Sequence, residues 1–225
     1  MMPNMFPFRL PILLILCFMA GIAHGQEPAH PLQPPDRSSP RSTLKTFLDS
    51  SDALGAFLAR EYMTTPSHAQ FQRLIHLGEA SVHCLDLSET PPAARLKAGR
   101  AAAVALYGTL SRIPLPAVED IPDAEQMSQL TGDNANRWVI PHTEIVLARV
   151  PNGPRKGEFL FSPETVARAN DYYEWVHQLP YTRPVPLENL HDILVDGGGW
   201  LVPYAWIESW PTWLRTPLAG QAVWK

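Results

Sequence analysis

The stretch Gly157-Glu158-Phe159-Leu160-Phe161-Ser162-Pro163-Glu164-Thr165-Val166 narrows the possible folds more than any other part of the chain. Phe159 and Phe161 alternate with Glu158 and Leu160, the period of two that a strand imposes. Ser162 follows at once, with a hydroxyl placed to accept from the free N–H groups of a helix start. Pro163 takes the first helical position, where its missing N–H removes nothing. Glu164 sets negative charge against the positive end of the helix dipole. A strand that runs straight into a capped helix demands a mixed fold. It is a folding signal and carries no chemistry.

The surrounding pattern extends this. Ile145, Leu147 and Arg149 alternate with Val146, Ala148 and Val150, so residues 144–150 read as a strand. The loop Pro151-Asn152-Gly153-Pro154-Arg155-Lys156-Gly157 then predicts an antiparallel hairpin into Phe159. Downstream, one helix is predicted over residues 163–178, burying Val166, Ala169, Tyr173 and Val176. The N-terminal half predicts three helices. Ser39-Pro40-Arg41 opens the first, with Leu44, Phe47, Leu48, Leu54, Phe57 and Leu58 at helical spacing through about Tyr62. The second carries Phe71, Leu74, Ile75, Gly78 and Val82. The third, over about residues 93–112, places Leu96, Ala103, Leu106 and Leu110 on one stripe. Beyond Ile113, prolines interleaved with Glu119, Asp120, Asp123 and Glu125 read as an irregular, solvated stretch. After Pro180 periodicity is lost. The fold class is therefore α+β: a helical N-terminal half of about three helices, an antiparallel β-hairpin or small sheet, a further helix and a Trp-rich irregular tail.

Residues 1–25 have the layout of a secretory signal peptide. Arg9 precedes a short apolar run, and Ala23-His24-Gly25 gives small-x-small before Gln26. This predicts export to the periplasm and a mature start at Gln26. The 24 prolines are about twice the usual share, and five of them fall in residues 26–40, an extended linker. Residues 41–182 form the predicted periplasmic domain and residues 183–225 a Trp-rich, juxtamembrane-like tail. Trp200, Trp206, Trp210, Trp213 and Trp224 crowd that tail. Indole rings favour the headgroup layer, which makes Trp206, Trp210 and Trp213 the candidate membrane-interface residues and a membrane surface the candidate partner. The alternative role for these rings is to cap the domain's own core.

The chemistry-bearing motifs are few. A net charge of -4, a pI of about 6.0 and the lack of a basic stripe exclude nucleic acid as a partner. There is no Gly-x-Ser-x-Gly, no phosphate-cradling glycine loop and no His-Glu-x-x-His. Gly197-Gly198-Gly199 reads as a flexible break rather than an oxyanion loop. His76 and His83 lie seven apart beside Cys84, a spacing too common to define a metal site. With the leader and its Cys17 removed, Cys84 is alone, so no intramolecular disulfide is possible, and it reads as a small buried hydrophobe. Asp86, between Leu85 and Leu87 just before a predicted helix start, reads as a capping carboxylate or a partner in a buried hydrogen bond. No catalytic residue, cofactor or metal is expected, and the chain is read as non-enzymatic.

Several stretches together resemble one family. Ser39-Pro40-Arg41-Ser42-Thr43-Leu44-Lys45-Thr46-Phe47-Leu48 is similar to the start of the extracytoplasmic N-terminal domain of large bacterial MscS-type mechanosensitive channels. Cys84-Leu85-Asp86-Leu87-Ser88 resembles its central stretch. Gly157-Glu158-Phe159-Leu160-Phe161-Ser162-Pro163-Glu164-Thr165-Val166-Ala167-Arg168 resembles its closing strand-to-helix element. Trp210-Pro211-Thr212-Trp213-Leu214 is similar to the approach to the first membrane helix. The resemblance implies a periplasmic domain of a channel, as a truncated or split product or a detached relative, with a channel membrane module as partner and homo-oligomerisation through that channel. The family's membrane helices, pore helix and cytoplasmic vestibule have no counterpart in the sequence, so this chain is not expected to conduct ions alone. The alternative is a free-standing periplasmic small-molecule-binding module. Its apolar pocket between helices and sheet would be lined by Tyr62, Phe71, Trp138 and Tyr173. A hydrolase with an unrecognised site ranks last.

Overall fold

Ser39 starts the folded body. In the computed structural model, which describes residues 35–196 and the paired Pro217–Leu218 and Gln221–Ala222, its hydroxyl accepts from the Ser42 N–H, while the Ser42 side chain answers the Ser39 N–H. With Pro40 at the first position, this capping box launches α1 (Pro40–Phe57). The helix widens into a π-helical turn at Leu58–Tyr62, and Ser67 caps α2 (His68–Val82). Where α1 crosses α2, the hydroxyls of Ser50 and Ser51 each lie 2.9 Å from that of Ser81, so small polar side chains let the two helices approach closely.

The third helix, α3 (Arg95–Leu110), is the spine. Gly99 and the run from Ala102 to Leu110 are buried on every side. A helix covered all round needs apolar or small residues all round, which Ala-Ala-Ala-Val-Ala-Leu supplies. The predicted stripe is corrected at one position: Leu96 is 55% exposed, while Ala103, Leu106 and Leu110 are buried.

The acidic, proline-bearing stretch is more ordered than predicted. A 3-10 turn at Val118–Asp120 leads into α4 (Ala124–Gln129), which Asp123 and Gln126 close with a reciprocal capping box. Ile121 and Met127 are buried, which anchors the segment. Arg41 holds it from α1, donating to the carbonyls of Ile121 and Glu119 and pairing with Asp123 at 3.3 Å.

The sheet has three antiparallel strands, β1 (Arg137–Val139), β2 (Val146–Arg149) and β3 (Phe159–Phe161), in that order. Trp138 faces Leu147, and Leu147 faces Phe161. The hairpin from β2 to β3 is the predicted one, and β1 is an addition to it. Gly157 closes the loop at φ 93°, a conformation that only a residue without Cβ adopts freely. All three residues of β3 are buried, so both faces of this strand are covered.

Ser162 caps α5 (Pro163–Ala167), as predicted, but the single helix over residues 163–178 is broken. Arg168, at φ -99° and ψ 5°, separates α5 from α6 (Ala169–Val176). The break turns α6 so that Ala169 and Tyr173 pack against α3. Beyond Pro180, where the sequence shows no helical or strand period, the chain passes through bends and a turn at residues 188–189 and then forms α7 (Leu190–Asp196) against α3. Pro217–Leu218 and Gln221–Ala222 form a two-residue antiparallel pair.

Candidate functional site

Two side-chain clusters concentrate the polar chemistry. The first lies along the outer edge of β3. Phe159 and Phe161 point their backbone groups away from β2, and a buried strand edge must be satisfied. The Phe159 N–H donates to the Arg37 carbonyl at 2.8 Å, and the Phe159 carbonyl accepts from the Thr43 hydroxyl at 2.7 Å. The Phe161 N–H donates to the Cys84 carbonyl and its carbonyl accepts from the Asp86 N–H, both at 2.9 Å. Phe47 completes the junction, its ring edge-on to Phe161 at 5.0 Å. Two stretches far apart in sequence, residues 37–47 and 84–86, thus close one strand edge.

An ion cluster braces this junction. Glu158 lies between Arg37 at 3.0 Å and Arg155 at 2.9 Å, and Arg155 also donates to the carbonyls of His83 and Leu85. Partial burial raises the Glu158 pKa, but the two guanidinium hydrogen bonds outweigh it and hold the carboxyl below the usual range. Cys84 is fully buried here, and burial pushes its thiol up to about 12 against the opposing pull of Arg37 and Arg155. A thiol this hard to ionise is a poor nucleophile. Asp86 accepts from the Ser88 N–H at 2.9 Å, a local turn-capping bond.

The second cluster lies where residues 181–196 cross α1, α3 and α6. Asp52 ion-pairs with Arg183 and accepts from the Tyr107 hydroxyl at 2.6 Å. Burial and the Asp52 bond both push the Tyr107 hydroxyl well above the ordinary tyrosine range. Arg112, 5% exposed, donates to the Gly108 carbonyl and to the Tyr181 hydroxyl, and sits 4.1 Å over the Tyr181 ring. Its Nε is buried without a hydrogen-bond partner. Tyr173 stacks on His191 at 3.9 Å and donates to Asp192 at 3.3 Å. The His191 hydrogen bond, first, holds the Asp192 carboxyl below its usual range.

These groups are engaged with one another. The imidazoles of His76, His177 and His191 face Glu79, the Glu174 carbonyl and Asp192 rather than a hydroxyl or thiol. His76, His83 and Cys84 do not converge on a metal position. Among the described residues no group of three or more His, Cys, Asp or Glu does so.

The four residues expected to line an apolar pocket are dispersed. Tyr62 and Phe71 pack on the core from the π-helical turn and α2, and the faces of Tyr173 are occupied by His191 and Arg112. Trp138 lines an open depression of about 570 Å³ with Met127, Leu130, Asn134, Arg137 and Val139, and none of the other three contributes to it. Trp206, Trp210 and Trp213 lie outside the described residues.

Sequence reasoning missed the second cluster. Its signal was present in Tyr181-Thr182-Arg183-Pro184-Val185-Pro186-Leu187, where Tyr181, Arg183, Val185 and Leu187 are half-buried and the intervening residues are exposed. That is a period of two with proline at two of the outward positions. Comparison with known proteins identified no matching family model, no matching curated protein and no matching solved structure.

Proposed function

We propose that this chain is a non-enzymatic, exported domain working with an MscS-type mechanosensitive channel, a periplasmic cap or interaction module. Its Trp206, Trp210 and Trp213 meet the bilayer surface or the channel's membrane part. One observation supports the reading above the others. The three resembling stretches that lie within the described residues, those containing Thr43, Cys84 and Phe159, are the ones that close the β3 edge together. Their shared pattern has a common structural reason and needs no chemical one. The ionised side chains beside them bind one another or backbone carbonyls, as expected of a scaffold. No helix among the described residues is long and apolar enough to cross a membrane, so the membrane contact is assigned to the Trp-rich segment.

Co-sedimentation with phospholipid vesicles tests this. Binding is expected and should fall when Trp206, Trp210 and Trp213 are replaced together by Ser. No binding, or binding that survives the triple change, refutes the assignment. The export half is tested by N-terminal sequencing of the native protein: Gln26 is expected, and an intact Met1 overturns it. The depression around Trp138 favours a second reading, a small-molecule-binding module, because its volume lies in the range of ligand sites. A ligand retained in native mass spectra and lost in Trp138→Ala would favour it.

A further inference from the structure

Residues 181–196 lie over α1, α3 and α6, with Leu190 and Ile193 of α7 buried and the stretch before them held largely by polar side chains. Tyr181, Arg183, Val185 and Leu187 turn inward. Pro184 and Pro186 carry no N–H and cannot join a ladder. The backbone of this stretch bonds the body from the Thr182 N–H to the Ser111 carbonyl at 2.9 Å. Several polar attachments are made by side chains. Arg183 binds Asp52 and Ser111, Thr182 binds the Ile113 carbonyl, Tyr181 takes the Arg112 guanidinium, and Asp192 takes the Tyr173 hydroxyl.

Such a segment can lift while the helices and sheet beneath keep their own hydrogen bonds. Opening also exposes a polar atom. The Arg112 Nε is buried beneath Tyr181 with no partner from the protein, and opening gives it access to water.

We infer that residues 181–196 form a strap that opens as a unit from the otherwise folded body. Opening uncovers a trough lined by Asp52, Tyr107, Arg112 and Tyr173. The inference stands apart from the channel reading, because it needs only the geometry of the strap.

Amide hydrogen exchange, read by mass spectrometry on the whole chain in a Cys17→Ser background, tests it. The amides that are hydrogen-bonded in the closed form, Thr182 and those of α7, should exchange at least about tenfold faster than those of α3 and of β2 with β3. A Cβ on Gly55 would lie 3.6 Å from the Leu187 Cβ, within disulfide range. Gly55→Cys with Leu187→Cys should therefore staple the strap shut. Cys84, buried and hard to ionise, stays out of that oxidation. The oxidised staple should slow strap exchange about tenfold or more, reversibly on reduction, with the sheet unchanged. Asp52→Asn, which weakens the clamp, should speed strap exchange about tenfold and leave α3 unchanged. Equal rates for strap and core, strap exchange indifferent to a closed staple, or uniform acceleration in Asp52→Asn would each overturn the inference.

Discussion

Gly108 on α3 faces the ring of Tyr173 on α6, and an alanine there tests how tightly those helices are packed. A Cβ would lie 2.6 Å from Tyr173 Cε2 and 2.8 Å from Cδ2, whereas carbon atoms rest at about 3.5–4.0 Å. The ring must therefore move by about 1 Å. It is not free to do so, since it is stacked on His191, faced by Arg112 and tied to Asp192 through its hydroxyl. Overpacking of this kind costs about 1–3 kcal/mol, and the fixed ring places it in the upper part of that range. Opposing it is the gain from replacing a helical glycine, about 0.5–1 kcal/mol and smaller in a last turn. The net expectation is a loss of about 1–2 kcal/mol. Gly78 on α2 supplies the control, because a Cβ there meets only Leu54 Cδ2 at 3.9 Å. Gly78→Ala should gain about 0.5–1 kcal/mol. In urea denaturation, with a slope of about 2 kcal/mol/M, the midpoint should fall by about 0.5–1 M for Gly108→Ala and rise by about 0.3–0.5 M for Gly78→Ala. In a Tyr173→Leu background, Gly108→Ala should lose most of its penalty. The reasoning is refuted if the two alanine variants shift the midpoint alike, or if the Gly108 penalty survives removal of the ring.

Two further predictions concern the β3 edge. Thr43→Val removes the hydroxyl that satisfies the buried Phe159 carbonyl with almost no change of shape, and should cost about 1–3 kcal/mol in urea unfolding; Thr43→Ser should retain most of the stability. Glu158 has a lowered folded-state pKa, so its contribution is complete above the unfolded value of about 4.3 and is lost as pH falls through the folded value. Glu158→Gln should therefore be less stable than the parent at pH 7 and should lose less stability on going to pH 3; an unchanged acid limb would show that the Arg37 and Arg155 contacts contribute nothing.

The local signals in the sequence were strong where each was complete within a few residues. Ser39-Pro40 and Ser162-Pro163 carry hydroxyl and proline side by side, and both start helices where expected. The β2–β3 hairpin is encoded by alternation on either side of a loop rich in proline and glycine. The misses share a cause. The predicted helix over residues 163–178 has continuous periodicity, and only packing of Ala169 and Tyr173 on α3 explains the break at Arg168. Acidic residues and prolines hid α4, whose stability comes from burying Met127 and from the distant Arg41.

The sequence by itself determined the α+β class, the caps and the hairpin, because those rest on hydrogen bonds and side-chain periods within a few residues. Only the tertiary structure decided what the edges of these elements meet. The backbone groups of Phe159 and Phe161 are satisfied by Arg37, Thr43, Cys84 and Asp86, partners set by chain crossings that no local period encodes. Arg183 finds Asp52 across 131 residues of sequence. A buried polar group must be paired wherever it lies, and which group pairs it is settled only when the chain has closed on itself.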